Sequence, residues 1–498
     1  MSSTATKSKT WVEASRRVIE IEEEVVPFRH CFDGFCVWSL FRIAAVRGLV
    51  QTDALPQGRE KTVGRWQQLV RACRDMAAWS RAPRRVEALV VSYPSSRSEH
   101  FDGKWKDIFF DDIIREFKSA YCVERLDTEK FIRGNKEVMR PSDMTDTWIT
   151  SFIRYERRLK IRAVCPAIIQ VALELHHDLV HTEVGHLPWC TVNAIAQRLL
   201  EFRRERLLWK ALVRRIGASM VFLLASPYEQ SLIMGARDAG AKVCELQHGD
   251  FLAGGIEFLW PRASLEYRAC LALPDRFFLY GNYWKDILRP DGIWVERSRV
   301  VGSPRMDGHR RAGKSRPKKA TSAEHLLLVT LQGITPPLVA RFLRKVLKLA
   351  EEWHGLRIVV KLHLIYDPNP EVYKLELAGE RRVEIVPATS PDSTFDWLAR
   401  ADSHASISST CHYEAIGMGV PTYILPFPSH EQVMHLAHRR HAVLITSESH
   451  LLKCLRASVN QSLESTAQNY YFRPGAIQSI REEIELLRED VSLTKIES

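Results

Sequence analysis

A chain of 498 residues is longer than one ordinary hydrophobic core accommodates, so two or three domains are expected. With 45% apolar and 26% charged residues the composition is that of a soluble globular protein, and no apolar run approaches the roughly 18 residues of a membrane-spanning helix. The formal charge of +11 is spread along the chain among acidic residues, and without a zinc-finger, RRM or KH signature it does not make a nucleic-acid binder.

The start, MSSTATKSKTW, is polar and lacks a hydrophobic signal core, which predicts a cytoplasmic protein. The ten cysteines are scattered with no CxxC pair, and Cys165, Cys244 and Cys270 sit in apolar surroundings. That spacing predicts reduced, buried thiols rather than a disulfide framework.

In chain order, residues 1–26 read as an N-terminal extension and 27–300 as a first α/β domain. VEALVVSYP (86–94) is its first apolar strand; helical patterns between 143 and 215, such as ITSFIRYERRLKIRAV and NAIAQRLLEFRRERLLWKALVRRIG, are insertions. GASMVFLLASP is a second strand, YEQSLIMGARDAG a helix closed by glycine, and AKVCELQ a third strand. The segment 301–322 reads as a basic linker: HRRAGKSRPKKA (309–320) has Gly and Pro and no apolar periodicity. It is either a solvated tether or a contact with anionic lipid at the inner membrane face.

Residues 323–480 have the clearest pattern. HLLLVTLQG (325–333), RIVVKLH (357–363), VEIVPA (383–388), SHASISS (403–409) and PTYILPF are strands, separated by helices such as PPLVARFLRKVLKLAEEWHG, TFDWLARA and CHYEAIGMG. Strands alternating with helices predict βαβ units and a parallel sheet, and 481–498 reads as a tail. The expected architecture is therefore two doubly wound, Rossmann-like domains facing across a cleft, with helical insertions in the N-terminal half.

Ligands of open parallel sheets bind beyond the carboxyl ends of the strands. Standing there are Ser226-Pro227-Tyr228-Glu229, Gln247-His248-Gly249-Asp250, Gln332-Gly333, Lys361-Leu362-His363 and Ser408-Ser409-Thr410. The three hydroxyls precede a helix whose free N–H groups would suit a phosphate, although one of them would serve equally as an ordinary N-cap. Glu414, one turn inside, is placed to reach ribose hydroxyls, or is an exposed helix carboxylate. Lys361 and His363 alternate on one strand and point the same way, as diphosphate or carboxylate donors or as solvated strand-end residues.

ELQHG, LPDRFFLYGNYWKDIL, RVVGSPRMD, VVKLH and SISSTCHYEAIGMGVPTYILP, in this order over roughly residues 218–430, resemble bacterial GT-B-type transferases of surface polysaccharides: Kdo transferases, sialyltransferases and CDP-glycerol glycerophosphotransferases. The resemblance implies a nucleotide-activated donor, with CMP-linked sugar favoured, and a polysaccharide or lipid-linked acceptor. Sialyltransferases hold CMP through a His-Pro pair and a Ser-Ser or Ser-Thr pair. Here Leu364 follows His363, while Ser408-Ser409-Thr410 fits the second pair. On this reading Lys361, His363, Ser408, Ser409, Thr410 and Glu414 bind the donor, and no metal or other cofactor is required.

His248, at a strand tip facing the cleft, is the candidate acid–base group; its alternative is an inert end to the strand. Glu229, at the neighbouring strand end, is the candidate carboxylate base or nucleophile. Asp33 and Asp102, each in an F-D-G turn, are its rivals. His177 and His181 stand at i and i+4, with His186 and Cys190 beyond, but Asp178 occupies the place of the metalloprotease glutamate, so the pair reads as surface histidines. Two other functions suit the same pattern: a noncatalytic nucleotide-sugar or polysaccharide binder, and a sugar-nucleotide epimerase that releases nucleotide without an acceptor.

Overall fold

The computed structural model describes residues 10–50, 65–101, 103–125, 138–139, 142–158, 165–249, 251, 255–288, 292–314, 324–363, 367, 369–387, 390, 392–458 and 463–496. Two parallel sheets organise it. The first has seven strands: β1 (Ala88–Ser92), β2 (Ala120–Glu124), β3 (Met144–Thr145), β4 (Met220–Leu223), β5 (Lys242–Leu246), β6 (Arg276–Leu279) and β7 (Ser298–Val300). Their spatial order is β7-β6-β5-β4-β1-β2-β3. The second has six: β8 (His325–Thr330), β9 (Leu356–Lys361), β10 (Val383–Val386), β11 (Ser403–Ser406), β12 (Thr422–Ile424) and β13 (Val443–Leu444), ordered β10-β9-β8-β11-β12-β13. Every pairing within the two sheets is parallel.

Strands of a parallel sheet covered by helices are apolar on both faces, and β1 and β4 are buried throughout. Because successive side chains alternate, Leu89, Val91, Val221 and Leu223 enter one core while Ala88, Val90, Met220 and Phe222 enter another across the sheet. The second sheet does the same, with Leu327, Val329, Ile358 and Val360 on one face and Leu328 and Val359 on the other. In each sheet the chain begins in the middle, builds outwards on one side, then crosses to the other. The order reverses between β1 and β4 in the first domain and between β8 and β11 in the second, and a doubly wound sheet opens a crevice at such a point. The α/β, two-domain GT-B-type architecture expected from the sequence is the one observed.

Three boundaries differ from expectation. Helix Trp11–Val25 is part of the first core rather than an extension: Ala14, Val18 and Ile21 are fully buried there, and Glu22 receives the buried Arg42 guanidinium at 2.5 Å. The supposed linker begins as helix Pro304–Lys314. Arg310 on it donates to the carbonyls of Gly417, Phe472 and Gln468 at 2.8–3.1 Å, so this part is fastened rather than tethered; Arg316, Lys318 and Lys319 lie outside the described residues. The supposed tail is most of helix Ala476–Ile496, which returns to the first sheet and buries Ile480, Ile484 and Leu487 beneath Val90 and Phe222. Composition shows charge but not which carbonyls wait for it.

The GNYW run forms an aromatic seam between the domains. Tyr283 and Trp284 pack on Tyr413 and Tyr471, and the Tyr283 hydroxyl meets His435 Nε2 at 2.7 Å. A side chain on Gly281 would stand 2.4 Å from the Tyr471 backbone, so glycine permits this close approach.

Candidate active site

At the first reversal point, Tyr93 follows β1, and the turn Ser226–Tyr228 that follows β4 delivers Glu229. Glu229 is almost fully buried. It accepts from Arg125 Nε at 2.9 Å, from a second Arg125 nitrogen and from the Tyr93 hydroxyl. Arg125 also reaches Asp146 at 3.1 Å and lies over the Trp209 ring. Both Glu229 oxygens are thus already engaged, and its charge is matched by a guanidinium. It is in place to orient Tyr93 and Arg125; a free carboxylate base it is not.

Beneath this turn, Glu245 of β5 is wholly buried. One oxygen accepts from the Ser226 backbone N–H at 3.0 Å, and the other has no partner among the described residues. Burial pushes this carboxyl up to about 7, because ionising it would leave an uncompensated charge in the core.

Next along the strand ends, Gln247 accepts from the Tyr280 backbone N–H and donates to the Gly249 carbonyl, both at 2.8 Å. It clamps the tips of β5 and β6, and His248 projects beyond the clamp. His248 lines two cavities. One, of about 640 Å³, also holds Arg47, Tyr93, Arg125, Asp146 and Glu229. The other, of about 120 Å³, lies between the domains with Arg305, Thr410 and Glu414. The ring is open to the cleft, yet surrounding protein pushes its pKa down to about 4, so near pH 7 it is a neutral imidazole. Gly249 is not needed for the turn's shape: a Cβ there would meet nothing.

At the second reversal point, Ser408 Oγ donates to Gln332 Oε1 at 3.1 Å, tying the ends of β11 and β8. Ser409 Oγ accepts from the Cys411 backbone N–H at 3.2 Å. Thr410 is the residue before helix Cys411–Gly417, but it has helical backbone angles and makes no capping hydrogen bond. It lines the cavity between the domains. Glu414 shares that wall, and burial raises its pKa. Lys361 closes β9 in register with Thr330, and His363 follows, its pKa lowered by burial. These two stand at the adjacent strand end, on neither cavity just described, and residues 364–366 beyond them are outside the described set.

The rival carboxylates fare differently. Asp33 lies at the tip of an exposed two-stranded turn, 3.3 Å from Arg203, and on neither cavity wall; Asp102 is outside the described residues. Asp178 is taken by His30 and Arg29 at 2.5 and 2.7 Å, and His177 is exposed. Among the described residues no three metal-ligating side chains converge, and no helix is long and apolar enough to cross a membrane.

Sequence reasoning missed Tyr93, Arg125, Asp146 and Arg305. Tyr93 and Arg305 had signals, Tyr93 at the carboxyl end of the VEALVVSYP strand and Arg305 in the GSPRMD run; Arg125 and Asp146 carry no local pattern.

The fold and the site define a two-domain GT-B-type α/β protein. No family model and no curated protein matches the chain. Among solved structures it is similar to a putative UDP-N-acetylglucosamine 2-epimerase from Listeria monocytogenes, at 13% identity and TM-score 0.49 over 82% of this chain and 98% of that one. It is also similar to UDP-GlcNAc 2-epimerase from Neisseria meningitidis bound to UDP-GlcNAc, at 13% identity and TM-score 0.46 over 80% and 99%. A third is the glycotransferase of kitacinnamycin, at 14% identity and TM-score 0.38 over 83% and 99%. Likenesses this distant carry no argument about function, which has to come from the site itself.

Proposed function

We propose that the protein breaks the sugar–phosphate bond of a nucleotide-activated sugar. The nucleotide would lie against the second domain at Thr410 and Glu414, with Ser408, Ser409, Lys361 and His363 at the neighbouring strand ends, and the sugar would enter the 640 Å³ cavity of the first domain. The observation that carries this reading is the position of His248 on the wall of both cavities, where a bond spanning them would lie. A neutral imidazole there can take a proton as the bond breaks.

Of the two fates for the sugar, epimerisation is favoured. Displacement by an acceptor needs one base. Inverting a ring carbon removes its proton from one face and returns one to the other; with the nucleotide leaving the neighbouring carbon, water adds there to complete the sugar. The sugar-side cavity offers two groups to move these protons: His248, and the Tyr93 hydroxyl hydrogen-bonded to Glu229. Transfer to a polysaccharide or lipid-linked acceptor is the second reading, supported by the order of the transferase-like motifs and by a cavity within the size range of whole-ligand pockets. CMP-linked donors, inner-membrane location and contact with anionic lipid belong to that second reading.

The test is incubation with UDP- and CMP-linked sugars in deuterated water without acceptor, followed by proton NMR. A new epimer carrying solvent deuterium is the expected result. Turnover that appears only when an acceptor is added would replace epimerase by transferase. Binding without turnover under either condition would leave a noncatalytic binder.

A further inference from the structure

The GSPRMD run is clamped on every side but one. Ser303 Oγ accepts from the Met306 backbone N–H at 3.3 Å, and Met306 is fully buried, filling the space that a side chain on Gly417 would claim. Asp307 accepts from the backbone N–H groups of Gly475 and Ala476 at 3.0 and 2.8 Å, holding the returning C-terminal helix. Arg305, between these anchors, is left pointing into the cavity between the domains.

Its guanidinium lies 3.9 Å from the Phe395 ring centroid, which fixes the plane. Nε donates to Glu99 Oε1 at 2.5 Å, and His309 meets the same oxygen at 3.0 Å. A guanidinium has five N–H donors, and the other four have no hydrogen-bond partner among the described residues. A rigid fork aimed at a cavity suits two phosphate oxygens. Thr410, whose hydroxyl also has no partner among the described residues, stands on the same wall beside His248. Glu414 stands on the same wall, its pKa raised by burial against the opposing pull of Arg305.

We infer that the open end of the Arg305 guanidinium, held against Phe395 and assisted by Thr410, is the phosphate subsite of the cleft. The inference rests on the nucleotide reading above and adds the group that would hold the donor phosphate next to His248.

The test is calorimetric titration of the full chain with UDP, CDP and CMP, and with uridine and cytidine as phosphate-free controls. Arg305→Gln alone would strand Glu99 in the interior, so the double variant Glu99→Gln/Arg305→Gln is the main probe, because removing both partners avoids an unpaired buried charge. The double variant is expected to bind nucleotides roughly ten- to a hundredfold more weakly than the parent, with nucleoside affinity unchanged. Arg305→Lys should fall between, keeping the charge but losing the fork. A folded double variant with parental nucleotide affinity overturns the inference. So does an equal loss for nucleotides and nucleosides, which would make Arg305 a support for the cleft's shape. A parent chain that binds none of the nucleotides would instead overturn the nucleotide reading itself.

Discussion

The two reversal points share a topology and differ in chemistry. In the first domain the crevice between β1 and β4 is closed by ions: Tyr93, Arg125, Glu229 and Asp146 form one connected network. In the second the crevice between β8 and β11 is edged by Gln332 and three hydroxyls, with Ser408 bonded to Gln332 and Thr410 without a capping hydrogen bond among the described residues. A site whose groups satisfy one another holds its shape while empty, whereas one whose donors face outward waits for a partner. His248, on neither crevice floor, faces both cavities.

The largest expected effect comes from removing the group between them. His248→Ala should lower turnover roughly a hundred- to ten-thousandfold, the usual range for general acid–base catalysis, while nucleotide affinity stays near the parental value. With the ring's pKa pushed down to about 4, it is neutral above that pH and cationic below. The parental rate should therefore hold through pH 6.5 and fall on the acid side near 4, a limb absent from the variant's pH–rate profile. Parental turnover by His248→Ala would reduce the residue to a strand end.

Breaking the ionic crevice should cost stability. Arg125→Ala leaves Glu229 and Asp146 buried without their cation, and loss of one member of a buried pair is worth about 3–5 kcal/mol, to be read from urea midpoints. A loss below about 1 kcal/mol would mean that water replaces the guanidinium and the network is not closed.

Breaking the hydroxyl crevice should cost binding instead. Ser409→Ala/Thr410→Ala should lose no more than about 1 kcal/mol per position, since only Ser409 makes a local backbone hydrogen bond, yet weaken nucleotide binding in titration. If nucleotide affinity is untouched in the folded variant, the contrast between the crevices fails.

The smallest effect concerns Glu245 beneath the ionic crevice. Its pKa of about 7 in the folded chain stands above the ordinary carboxylate value near 4.3. The stability that its protonated form contributes is fully present below about 4.3 and is lost as pH rises through 7. Glu245→Gln should therefore be more stable than the parent at pH 8, with a smaller or reversed advantage at pH 4. Parallel stability curves for the two chains between those pH values would place an unseen partner at the orphaned oxygen.

Much of this molecule is legible before folding is considered. The alternation of apolar strands and helices from 325 to 424 predicts the second sheet, whose strands appear within the expected segments, and VEALVVSYP, GASMVFLLASP and AKVCELQ hold β1, β4 and β5. Strand ends are local features and ligands gather there, so His248, Glu229, Thr410 and Glu414 could be singled out from sequence, and all four line the two cavities. Strands β2, β3, β6, β7 and β13 and the hairpin Arg97–Asp107 went unread, being short or mixed in polarity.

The sequence by itself determined that the chain would build two parallel sheets, because burial on both faces writes a nearly continuous apolar run into each strand. It also determined which polar residues would stand at the strand ends. Only the tertiary structure decided what each of those residues faces. Glu229 meets Tyr93 from 136 residues away and Arg125 from 104, so whether it is a free base or a bound counterion depends on contacts no local pattern records. Arg310 reads as linker charge and is spent on carbonyls, while Arg305, five residues earlier, keeps four donors open among the described residues. Charge and periodicity are properties of a segment, but the satisfaction of a hydrogen-bonding group is a property of the space around it, and that space exists only once the two sheets have closed on one another.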